Sequence, residues 1–120
     1  MTQIGLMELA EQIEAAKSVD PALTKAVLRE LRVSFPDATT SGLLSEATVT
    51  STDAIVELVV AVMPGWHFSI HGRARPDVGP WSCSLRRSDV LDDDEILGIG
   101  KAATLSQAML ASLISVVARR

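Results

Sequence analysis

The side chains able to do chemistry concentrate in residues 66–87, WHFSIHGRARPDVGPWSCSLRR, which hold both tryptophans, both histidines, the single cysteine and four arginines. His67 and His71 have the i, i+4 spacing by which a helix presents two zinc ligands. On a strand the same spacing separates them by about 13 Å, too far to share one ion held ~2 Å from each nitrogen. The pattern decides for strand. Trp66, Phe68 and Ile70 alternate with His67, Ser69 and His71, and Trp81, Cys83 and Leu85 alternate with Ser82, Ser84 and Arg86. No metal is assigned to the histidines, and no motif in the chain calls for a cofactor.

The alternation predicts a buried face of Trp66, Phe68, Ile70, Trp81, Cys83 and Leu85 and a polar face opposite. The chemistry open to the polar face is capture of a small anion, a phosphate or nucleotide. His67, His71, Ser82, Ser84 and Arg86 would hold it, with Arg73 and Arg75 closing from the intervening loop. The same alternation is also that of a half-solvated antiparallel sheet, which needs no ligand. Cys83 falls on the apolar side, where a thiol is inert, and the histidines point the other way, so no Cys/His nucleophile forms. Asp92, Asp93, Asp94 and Glu95 lack the alternating spacing and turn glycine of a calcium loop and read as a solvated acidic loop. Gly98, Ile99, Gly100 and Lys101 lack the glycine spacing and the following Ser/Thr of a phosphate loop. They read as a flexible entrance to the last helix. No residue is assigned a catalytic role, and a hydrolase built on His67 or His71 with the acidic run is the weakest functional reading.

The elements that must position these residues are mostly helical. Leu6, Leu9, Ala10, Ile13 and Ala16 recur at helical spacing over residues 5–17. Asp20 before Pro21 marks the N-cap of a second helix carrying the stripe Leu23, Ala26, Val27 and Leu31. Residues 34–51, rich in Ser and Thr, carry no sustained period and read as a long connection pinned by Leu43 and Leu44. Residues 54–63, AIVELVVAVM, favour strand on valine content. Their borders favour helix: Thr52 as N-cap, Asp53 in the first turn, and Pro64-Gly65 as terminator. Thr104, Leu105, Ser106 and Gln107 form a capping box before a final helix with Leu105, Ala108, Met109, Ser112, Leu113, Val116 and Val117 on one face and Arg119 and Arg120 at its end.

Composition sets the outer bounds. A chain of 120 residues with 48% apolar and 22% charged residues suits one globular domain with a core of Ala, Leu and Val. A core poor in rings is often completed by oligomerisation, so a homo-oligomer is expected. The net charge of −4 disfavours nucleic acid and anionic lipid as partners of the whole surface. One cysteine, no secretory pattern at the N-terminus and no apolar run near the ~20 residues of a membrane span predict a cytoplasmic protein away from membranes. The fold class expected is α/β (α+β): an N-terminal helical hairpin over 1–33, a connection over 34–51, and over 52–120 an α-β-α sandwich-like domain with an antiparallel β-hairpin packed by helices.

This order runs from a capped helix through a Pro-Gly-Trp junction and a hairpin to a glycine-rich entry and an Ala/Leu-rich helix. It resembles the phage ABA sandwich domain family, small proteins encoded by bacteriophages and prophage regions. The resemblance is carried by residues 53–66 (DAIVELVVAVMPGW), by Ser82-Cys83-Ser84 and by residues 102–111 (AATLSQAMLA), and more loosely by EQIEAAKSVDPALTKAVLREL. The acidic DDDE run and the long Ser/Thr stretch depart from the compact pattern. The resemblance implies an α/β sandwich of phage origin and supplies no catalytic residues. The function expected is that of a non-enzymatic accessory or interaction protein, partnered by itself and by a phage or host protein in the bacterial cytoplasm.

Overall fold

The computed structural model describes residues 3–17, 19–40, 42–72, 80–87 and 97–119. They form α1 (Gln3–Ala15), α2 (Pro21–Ser34), α3 (Pro36–Thr40), α4 (Ala47–Thr50), α5 (Thr52–Val62), β1 (His67–His71), β2 (Trp81–Arg86), β3 (Leu97–Ala102) and α6 (Leu105–Arg119). The α+β class read from the sequence is the class of the fold.

Local chemistry explains the helix starts. The Asp20 carboxylate accepts the Leu23 N–H at 2.8 Å, and Pro21 stands in the first turn, where its missing N–H costs nothing. Valine-rich α5 is helical because both ends are capped. Ser51 Oγ, one residue before the expected Thr52, accepts the Ala54 N–H at 3.3 Å, and the Met63 N–H closes on the Val59 carbonyl at 2.8 Å. Gly65, at φ 87°, takes the left-handed conformation that turns the chain towards Trp66 and β1. Residues 34–51 are not the structureless connection expected. They hold α3 and α4, five and four residues long and so too short to show a period. Thr48 organises this stretch by donating from Oγ1 to the Leu43 carbonyl at 2.8 Å and accepting the Ser45 N–H at 3.0 Å. Leu43 and Leu44 are half-buried against the core, as expected.

The three strands form one antiparallel sheet in the order β1-β2-β3. The hairpin of β1 and β2 is as predicted, with Phe68 opposite Leu85, Ser69 opposite Ser84 and Ile70 opposite Cys83. The third strand is a correction: Gly98 to Lys101, read as a flexible helix entrance, lies in β3, with Gly98 opposite Leu85 and Gly100 opposite Cys83. The glycines are there for α6. A Cβ on Gly98 would overlap the Ser112 carbonyl oxygen, and one on Gly100 would overlap that of Ala108 and stand 2.8 Å from Ser112 N. Their absence lets the helix backbone rest directly on the strand.

Helix α6 is the centre of the molecule. Every residue from Gln107 to Ser115 is buried, with Val116 and Ala118, so the single apolar face expected is a helix enclosed on all sides. It packs against β2 and β3, against α1, and against α4 and α5. Its start is the predicted capping box in part. Thr104 Oγ1 accepts the Gln107 N–H at 3.2 Å, but the Gln107 side chain does not turn back to the Thr104 backbone. Its Oε1 accepts the Thr104 hydroxyl at 2.8 Å, and its Nε2 donates to the carbonyls of Ile13 at 3.0 Å and Ala16 at 2.7 Å. The amide thereby satisfies two carbonyls at the end of α1 that have no partner within their own helix. Arg119 stands in the last turn of α6, and Arg120 lies outside the described residues.

Because α6 covers β2 and β3, the inner face of the sheet is unevenly buried. Cys83 and Leu85 are fully buried, whereas Trp66, Phe68 and Trp81 are half-buried and Ile70, expected inside, is 42% exposed. The Trp81 indole lies over Gly72, where any side chain would strike the ring.

Gly98→Ala and Gly100→Ala each force α6 away from β3, and overpacking of this kind costs about 1–3 kcal/mol or more. Urea unfolding should show a clear fall in midpoint for both. Ile99→Ala, between them on the exposed face, should produce a smaller change.

Candidate functional site

The outer face of the sheet is built by register. Three cross-strand rows run over it: His67, Arg86 and Leu97; Ser69, Ser84 and Ile99; His71, Ser82 and Lys101. Directly opposed residues of antiparallel strands lie about 4.5–5.5 Å apart, so each row is a contiguous set of side chains. Five of the seven residues expected to form an anion site, His67, His71, Ser82, Ser84 and Arg86, share this face. Arg73 and Arg75 lie outside the described residues, as does the 92–95 acidic run.

Lys101 is the residue that reading the sequence missed. It joins the row of His71 and Ser82 because β3 exists. The signal was present: Leu97, Ile99 and Lys101 alternate with Gly98 and Gly100. Glycines in the inward positions hid it, since they depress strand propensity.

The face offers hydrogen-bond donors, and among the described residues they lie on an open surface. His67, Ser69, His71 and Lys101 on the edge strands are exposed, and Ser82, Ser84 and Arg86 on the central strand are partly buried. Cationic Arg86 and Lys101 stand in different rows, on adjacent strands. The strand assignment of β1 also keeps His67 and His71 too far apart to chelate one ion. Among the described residues no three His, Cys, Asp or Glu side chains gather as a metal set.

Cys83 behaves as its position predicts. It is fully buried, its Sγ lies 3.6 Å from Ser112 Oγ, and it faces α6 while the histidines face the other side. Burial pushes the thiol pKa up, and the hydrogen bond to Ser112 offsets only part of that rise. Such a group is no nucleophile.

A second feature was not foreseen. A groove between α2 and the start of α4 has Lys25, Arg29 and Arg32 along one wall and Glu46 on the other. The three basic residues, at i, i+4 and i+7, share one face of α2, outside the apolar stripe that the sequence brings out.

These elements define an α+β protein whose small antiparallel sheet rests on a buried helix. Compared with family models, curated proteins and solved structures, the chain matches none. Among the described residues no helix is long and apolar enough to cross a membrane.

The raised thiol pKa has a defined pH consequence. Below the ordinary cysteine value of about 8.5 both folded and unfolded states are protonated and the group leaves stability unchanged. As pH rises beyond that value the unfolded state ionises first, so stability is lost. The urea midpoint should therefore fall between pH 8 and 10 more steeply in the parent protein than in Cys83→Ala. Equal slopes would contradict burial of the thiol.

Proposed function

We propose that this is a non-enzymatic accessory protein of the phage or prophage type, acting in the bacterial cytoplasm through contacts with proteins, a second copy of itself first among them. The observation that carries the reading is the inequality of the two sheet edges. At the β3 edge, Glu14 of α1 reaches across, its Oε2 accepting the Lys101 N–H at 2.8 Å. At the β1 edge no described element pairs, and Ile70 exposes apolar surface beside it. An open strand edge with an apolar side chain favours association. Val56 and Val60, one turn apart on α5, add exposed apolar surface. The phage assignment draws its support from the pattern in residues 53–66, 82–84 and 102–111, which falls on α5 with its Pro-Gly-Trp exit, on β2 and on the start of α6. The cytoplasmic assignment draws on the free, buried Cys83. Size-exclusion chromatography with light scattering should give a dimer at tens-of-micromolar concentration, and a monomer there would remove the self-association.

A second reading has its own support. The row of His71, Ser82 and Lys101, beside the pair of His67 and Arg86, presents donors suited to a phosphate or nucleotide on the outer face. A ligand at 100 times its Kd stabilises by about 2.7 kcal/mol. Millimolar phosphate or nucleotide should raise the melting temperature of the parent protein and have less effect on an Arg86→Ala/Lys101→Ala variant. The absence of any shift in the parent would overturn this reading.

A further inference from the structure

We infer that two copies of the chain pair β1 against β1, antiparallel and centred on Ser69, so that two three-stranded sheets become one six-stranded sheet. This rests on the self-association proposed above and assigns it a surface and a register.

The first argument is the sequence of the strand. His67-Phe68-Ser69-Ile70-His71 has the same character read in either direction: histidine, large apolar, serine, large apolar, histidine. A two-fold interface sets a surface against itself, so the patch must be complementary to its own reverse. Centring the axis on Ser69 sets Ser69 against Ser69, Phe68 against Ile70 of the second copy, and His67 against His71 of the second copy. All five residues of the strand then have a counterpart of their own kind.

The second argument is geometric. A two-fold axis normal to the sheet keeps the inner faces of both copies on the same side, which requires inward residues to oppose inward residues. The Ser69 register meets this condition and leaves no strand residue unpaired. It also covers Ile70, the inner-face residue that α6 leaves 42% exposed, with the partly buried Phe68 of the other copy. Apolar cross-strand pairs of this kind stabilise by roughly 0.2–1 kcal/mol each, beyond the backbone ladder they accompany.

The third argument is exclusion. The sheet has two edges, and the β3 edge is occupied by Glu14 of α1. The exposed valines of α5 belong to a helix face that carries no comparable self-complementary pattern. An interface of one short strand is small, which places the association in the weaker class of protein contacts.

The experiment is site-directed crosslinking. In the inferred register the two Ser69 Cα atoms lie about 4.5–5.5 Å apart, inside the range a disulfide spans. Ser69→Cys should form a covalent dimer under mild oxidation. Ser84→Cys, on the same outer face but one strand inward, is its control. Three strand spacings, about 14 Å, separate Ser84 from its copy, so crosslinking there should be many-fold weaker. Native Cys83 is buried and supplies little background. Ile70→Lys should abolish the dimer while leaving the circular dichroism spectrum intact. A dimer by light scattering in which Ser69→Cys crosslinks no better than Ser84→Cys would overturn the β1 register while self-association stands. A monomer at tens-of-micromolar concentration would overturn both.

Discussion

The contact on which the structure depends is that of the α6 backbone with the glycines of β3. With Gly98 and Gly100 beneath it, the helix lies closer to the sheet than a layer of side chains would allow, and its position fixes the rest. Helix α1 is seated on α6 by the Gln107 amide, which donates to the Ile13 and Ala16 carbonyls, and on β3 by Glu14, which receives the Lys101 N–H. A buried amide whose donors and acceptor are all engaged specifies one arrangement, because any shift leaves polar groups unpaired in a dry interior. The glycine contact and these two polar attachments hold sheet, central helix and first helix in register.

The same placement divides the sheet into unlike regions. Over β2 and β3 the inner face is sealed, and the thiol of Cys83 is shut in with Ser112. Over β1 the helix gives less cover, and among the described residues apolar surface is left at an edge that no element pairs. The outer face is a regular array of rows, mostly polar on β1 and β2, with cations on β2 and β3 and the apolar side chains Leu97 and Ile99 on β3. Each proposed activity follows from this uneven coverage: association from the strand that α6 covers less, anion capture from the face that it never touches.

How much of this was legible in the sequence depends on the range of the interactions involved. Asp20 with Pro21, the ends of α5, and the alternation of β1 and β2 are local signals, and each element stands where they placed it, save that the α5 cap is Ser51 and not Thr52. The Thr104 cap was legible, but the destination of the Gln107 side chain was not, because its partners lie more than ninety residues away. Strand β3 was obscured by the glycines that α6 requires, a tertiary demand that imitates a loop. Ile70 was placed inside because alternation tells which face a residue occupies and not how far the covering helix extends. In the candidate site, the histidines, serines and Arg86 were found together from period alone, whereas Lys101 depended on recognising the third strand.

The central position of α6 also bears on how the protein is made. Residues 105–119 are the last described helix in the order of synthesis, yet they contribute surface to α1, α4, α5, β2 and β3. Domains generally fold as units during synthesis, beginning from the first residues to emerge. Here the earlier helices and strands have only their own smaller contacts, and the surface they share is supplied when α6 docks. The surfaces of α1, α5, β2 and β3 that face α6 therefore stay uncovered until residues 105–119 dock against them.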